Sequence, residues 1–214
     1  MKINNNKDGG FSLIEIAIVL VIIGLLIGGV LKGQAMVKNS KIKRIATDTQ
    51  STQGAVNSYM DSYWFLPGDD SGAATRWAIA PTAGNGDGVI AGLFVPAAPA
   101  ANETALAWDH LYCEGLVKGS CVAGGTAVAN PINPVGGPTG IADGRALAVL
   151  GMPQKVVCME SMPSEYAMIY DQQFDDGVGN TGSIRGSQNG ETAATPGTAQ
   201  AYAVGQVIHI CTGF

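Results

Sequence analysis

Residues 11–31 read FSLIEIAIVLVIIGLLIGGVL, and the rest of the chain is read outward from this run. Only Ser12 and Glu15 among its 21 residues are conventionally polar. About 20 apolar residues at the 1.5 Å rise of an α-helix cross the ~30 Å hydrocarbon core of a bilayer. Backbone groups in lipid must bond internally, so the run is expected to be a helix despite its many β-branched residues. Glu15 is the anomaly. A carboxylate inside an apolar span is costly and implies a compensating partner.

Upstream lies a short leader, MKINNNKDGG; downstream the chain continues LKGQAMVKNSKIKR. A secretory signal is cut after its apolar region, at small residues of A-x-A type. No such site follows here. Residues 32–65 extend the helix with a sparser apolar pattern. The steps Ile42–Ile45, Val56–Tyr59/Met60 and Tyr59–Tyr63 have the 3–4 residue period of an amphipathic helix. Pro67-Gly68 ends it. Gly24-x-x-x-Gly28 allows close helix–helix approach.

Charge divides the chain. Residues 1–45 carry seven Lys/Arg and two acids, net +5; residues 46–214 carry five Lys/Arg and fifteen acids, net −10. The basic cluster Lys32–Arg44 would hold the C-terminal side in the cytoplasm by the positive-inside rule. Four cysteines argue the opposite, because an even count suits disulfides in an oxidising compartment. The cluster is then free to meet anionic headgroups or acidic faces of neighbouring subunits.

The junction Gly10-Phe11-Ser12-Leu13-Ile14-Glu15 resembles the processing site of type IV prepilins and type II secretion pseudopilins. The resemblance covers roughly the first 45 residues. It implies cleavage after Gly10 by a prepilin peptidase, methylation of the new amine on Phe11, and an assembly role for Glu15 opposite the Phe11 ammonium of an adjacent subunit. It also implies an inner-membrane assembly platform and a cytoplasmic ATPase as partners, with the chain polymerising with itself or with related subunits. The expected location is the bacterial inner membrane with a periplasmic head, and afterwards a surface pilus or periplasmic pseudopilus.

The expected layout is a leader at 1–10, a transmembrane and filament-core helix at 11–31, its amphipathic continuation at 32–65, and an α+β head at 66–214 with a small antiparallel sheet packed on the long helix. Within the head, residues 66–101 and 119–144 read as Gly/Pro-rich loop. Residues 103–117 read as a helix with Asn102 as N-cap, and 163–174 as a second helix. Residues 145–150, 155–159 and 204–211 read as strands. Residues 186–200 are low in complexity.

Three pairings of Cys113, Cys121, Cys158 and Cys211 are possible. Cys113–Cys121 and Cys158–Cys211 are favoured. The first ties a helix end to its loop, the second joins the last strand to an earlier one. Zinc held by His110, Cys113, His209 and Cys211 is the rival, without a paired C-x-x-C. Asp69, Asp70, Asn85 and Asp87 form half of a calcium-type oxygen set, with no bidentate Glu at the required distance; tight Asx turns account for them equally. No other cofactor is expected.

Two histidines, no G-x-S-x-G and no P-loop leave no catalytic constellation, so an enzyme is not expected. The head's net −10 opposes nucleic-acid binding. The expected function is a structural filament subunit. The alternatives are a pseudopilin of a type II secretion system and a membrane-tethered binding module that never polymerises.

Overall fold

The computed structural model describes residues 12–92, 102–124, 128–145, 149–187 and 199–214. The elements in chain order are α1 (Leu13–Tyr63), α2 (Ala73–Arg76), α3 (Glu103–Glu114), β1 (Thr139–Asp143), a 3-10 turn (Val149–Gly151), β2 (Lys155–Pro163), α4 (Ser164–Phe174), β3 (Ile184–Ser187) and β4 (Val207–Gly213). The layout is α+β and pilin-like: a long N-terminal helix, apolar in its first part, then a four-stranded antiparallel sheet. The chain forms two compact units, residues 1–40 and 41–214.

In the first unit, the described residues are one helical stretch with its apolar side chains exposed, from Leu13 at 90% to Leu31 at 61%. It is long and apolar enough to cross a membrane.

In the second unit, α1 contributes a seam. Ile42, Ile45, Thr49, Thr52, Val56 and Tyr59 are all buried and follow one another by alternating three and four residues. Thr52 satisfies its hydroxyl on the Asp48 carbonyl at 2.8 Å, so a polar residue can sit in the seam. Each fully buried large side chain contributes about 1.5–3 kcal/mol from water exclusion. The upper seam packs with Met159, Met162, Ala167, Tyr170, Ile208 and Ile210; the lower seam packs with Leu66, Ile90, Trp108, Leu111 and Ile141.

The strand order is β1-β2-β4-β3, antiparallel throughout. Side chains alternate across the sheet. Ile141, Met159 and Ile210 belong to the clusters holding α1, while Ala142, Val156, Cys158 and Cys211 belong to a separate cluster with Leu150 and Met152. Met159 and Met162 nonetheless share a cluster although three residues apart. A β-bulge explains this: Met159 pairs with Ile210 and Met162 with Ile208, so β2 uses one residue more than β4. Ser161, inside the bulge, has φ of 57°.

The sequence misplaces some elements. The strand expected at 145–150 lies earlier, at Thr139–Asp143, in a stretch that reads as loop because Gly and Pro surround it. Ile141, fully buried against the α1 seam, holds this strand by tertiary packing rather than local propensity. Residues 146–148 lie outside the described residues, and Val149–Gly151 is a 3-10 turn. β3 has no expected counterpart. β4 begins at Val207, after a turn in which Gly205 has φ of 80°. α3 matches its expectation at the cap: Asn102 Oδ1 accepts the Thr104 N–H at 3.2 Å, and Gly115 closes the helix in the left-handed conformation.

Candidate functional site

The start of α1 is built by two residues three positions apart in the run, Ser12 and Glu15. The Ser12 hydroxyl accepts the Ile14 N–H at 3.3 Å. Glu15 Oε2 accepts the Ser12 N–H at 2.8 Å. This is a capping box of the Ser-x-x-Glu type, in which each side chain satisfies a backbone donor that the helix start leaves unpaired. A negative charge in the first turn also opposes the positive end of the helix dipole. Part of the compensation that Glu15 needs thus comes from its own chain. Its Oε1 makes no hydrogen bond among the described residues. Gly10 and Phe11 lie outside the described residues.

In the head, the adjacent residues Asp69 and Asp70 face different partners. Asp69 accepts the N–H groups of Gly86, Asp87 and Gly88 at 2.7, 3.0 and 2.8 Å. Glu103 accepts from Asn85 N–H at 3.2 Å and Ala91 N–H at 2.7 Å. Two buried carboxylates therefore fasten the 85–91 loop by its backbone. Burial raises the Glu103 pKa, more than its two backbone bonds lower it. Asp70 takes the Tyr59 hydroxyl at 2.7 Å, the Gly72 N–H at 2.8 Å and both Nε (2.6 Å) and Nη2 (3.0 Å) of Arg76. Burial would raise its pKa, but the Arg76, Tyr59 and Gly72 hydrogen bonds outweigh that and hold it below the usual carboxylate range.

His110 is fully buried beside this network. Its Nδ1 accepts the Gly68 N–H at 2.9 Å, which leaves Nε2–H to donate to the Thr82 carbonyl at 2.8 Å. Burial lowers its pKa, so the neutral ring is the resting form. Gly68 has φ of 91°, and a Cβ there would lie 2.2 Å from the Glu103 carbonyl oxygen. Only glycine fits where the loop passes α3.

Cys113 is bonded to Cys121 and Cys158 to Cys211. The second pair lies directly across β2 and β4 in register.

Residues 5–31 match the family described as the prokaryotic N-terminal methylation motif. The chain carries the prepilin-type motif of type IV pilins and pseudopilins. Over these residues the chain is similar to type IV pilins and pseudopilins. The match spans Gly10, Phe11, the Ser12/Glu15 box and the whole exposed apolar run. Motif and apolar helix together fit membrane anchoring. No curated protein and no solved structure matches the chain.

Asp69, Asp70, Asn85 and Asp87 do not form one ligand set, because Asp70 turns toward Arg76. The carboxylates that converge are Asp69, Asp87 and Glu103, with ligand oxygens within 4.8 Å of one another. A calcium ion there would draw on those three, and it would compete with the N–H groups that Asp69 and Glu103 already accept. Asn85 and Asp87 close an Asx turn, Asn85 Oδ1 accepting the Asp87 N–H at 2.8 Å. The zinc alternative fails because both its cysteines are in disulfides and both His110 nitrogens are engaged.

Sequence reasoning missed two sites. The capping box was legible as Ser-x-x-Glu at the head of an apolar run. The Ser187–His209 pair, 2.9 Å apart across β3 and β4, was not legible because β3 itself was not. Both side chains are buried, at 1% and 6% exposure, and are closed off from a substrate.

Proposed function

We propose that the protein is a structural subunit of a type IV pilus-like filament, polymerising through residues 11–31 after cleavage between Gly10 and Phe11. One observation carries the reading: residues 13–31, the part of the prepilin-type motif that forms α1, are an unbroken helix whose apolar side chains are exposed among the described residues. In the membrane that surface meets lipid; in a filament it meets the same surface of other subunits. A prepilin peptidase/methylase would make the mature terminus, and an inner-membrane platform with its ATPase would extract the subunit. The head would lie in the periplasm before assembly.

Glu15 has two jobs in this account. Oε2 holds the start of its own helix, and Oε1 is left for the Phe11 ammonium of a neighbouring subunit. That charge exists only after cleavage, so processing and assembly are coupled. Glu15→Ala should leave the chain in the membrane and abolish filaments. Glu15→Gln, which keeps an acceptor for the Ser12 N–H, should restore the helix start but not assembly. Filaments of normal length from Glu15→Ala would contradict the role. A ladder of disulfide-linked species through cysteines engineered into 13–31 tests polymerisation itself; its absence would favour a tethered, non-polymerising module. Mature subunits confined to the cell envelope would instead place the protein in a secretion pseudopilus.

A further inference from the structure

One cavity in the head has no part in the filament reading. It opens at the C-terminal end of α1 with a volume of about 470 Å³. Trp64, Phe65, Phe214, Lys155, Gln154 and Arg145 contribute to its walls. Three features set it apart from ordinary surface.

Trp64 is 91% exposed, and its backbone φ is 63°. Helices that end in the left-handed region use glycine or asparagine there, since a Cβ crowds the following carbonyl. A large indole in that conformation, with almost no burial in return, is a feature that folding does not explain. Lys155 is the second. Its ammonium lies 3.6 Å from the Met60 sulfur and 5.4 Å from the Phe214 ring centre. No carboxylate lies within ion-pair distance of it among the described residues, whereas Arg76 and Arg145 are paired with buried Asp70 and Asp143. Third, the Gln154 side-chain amide makes no hydrogen bond among the described residues.

We propose that this cavity binds the carboxylate-bearing ring of an acidic saccharide. The C–H face of the sugar stacks on Trp64, with Phe65 and Phe214 along the apolar side. The carboxylate meets the Lys155 ammonium, and the Gln154 amide takes ring hydroxyls. Aromatic faces beside a few polar groups are the makings of a small-molecule site. One unpaired ammonium suits one carboxylate. The acidic surroundings, net −10 over residues 46–214, repel a polyanion such as nucleic acid.

The full processed chain in detergent micelles is titrated calorimetrically with sialyllactose, which carries one carboxylate, and with lactose, which carries none. Sialyllactose should bind about tenfold tighter or better, the value of one charge-assisted hydrogen bond. Lys155→Met should bring sialyllactose down to the level of lactose. Trp64→Gly should weaken both sugars while keeping or raising the melting temperature, since glycine accepts the left-handed backbone. That pairing separates loss of a stacking surface from loss of fold. The proposal is overturned if neither sugar binds at millimolar concentration, if lactose binds as well as sialyllactose, if Lys155→Met leaves the preference intact, or if a single-stranded oligonucleotide binds more tightly than sialyllactose.

Discussion

Asp70 and Asp109 show how two buried carboxylates of one head respond to acid in opposite directions. Asp70 is held below the ordinary range by Arg76 and its other donors. A carboxyl with a depressed folded pKa contributes stability above its unfolded pKa, near 4, and loses it as pH falls through the folded value. Asp109 is raised by burial, with only the Val122 N–H bond acting against it. Its ionised form costs stability at neutral pH, and that cost is relieved as pH falls through its folded pKa. Asp70→Asn should therefore destabilise the head by about 3 kcal/mol at pH 7, because Arg76 and Tyr59 lose their anion. Asp109→Asn keeps an oxygen for Val122 N–H and should be neutral or stabilising by up to about 1 kcal/mol. Urea melts at pH 7 and pH 4 check both; a loss at Asp109→Asn as large as that at Asp70→Asn would contradict this assignment. The chain shows an Asp-Asp pair at 69–70 but not that the two side chains diverge. The direction each takes is fixed by Arg76 and by the 86–88 loop, partners that periodicity does not reveal. Glu15 is the contrary case: its role at the helix start was legible from Ser12 three residues before it.

Among the elements, the sheet carries one bulge and one cross-strand disulfide. Deleting Ser161 would remove the extra residue and leave Met162 two positions after Met159, the regular strand spacing, so both stay on the face toward the α1 seam. The expected result is a head that still folds with a cooperative melt; loss of cooperative melting would show that the sheet needs the bulge itself. Ser161→Gly, which suits φ of 57°, should be neutral or slightly stabilising. The disulfides should differ in weight. In the chain-entropy account, Cys158–Cys211, 53 residues apart, is worth about 4 kcal/mol, and Cys113–Cys121, eight apart, about 2.5 kcal/mol. Paired Cys→Ser variants compared by denaturant midpoint test the ranking; equal losses would contradict it. The long helix, α3, α4 and both cysteine pairs could be read from apolar period, capping residues and loop order. β1 and β3 could not. Each is short, and β1 holds its place by burying Ile141 against α1, a contact between distant parts of the chain.

For the whole molecule, the division into two units has a direct consequence. The buried residues of the core begin at Ile42, within the second unit, while the described residues of the first expose theirs. A chain beginning at Lys41 should therefore fold, stay soluble and melt cooperatively in the absence of detergent. A head that needs residues 13–40 to fold would show a broad, non-cooperative melt. The same division matches the two roles assigned here, assembly to the apolar run and ligand contact to the head.

The central claim is that the chain is a processed filament subunit. It is tested most directly by the intact mass of the protein in material sheared from native cells and in the remaining membranes. The account predicts, in the sheared filaments, a species beginning at Phe11, heavier by one methyl group and lighter by the four hydrogens of two disulfides. An unprocessed mass beginning at Met1, in cells with their own prepilin peptidase, would contradict it.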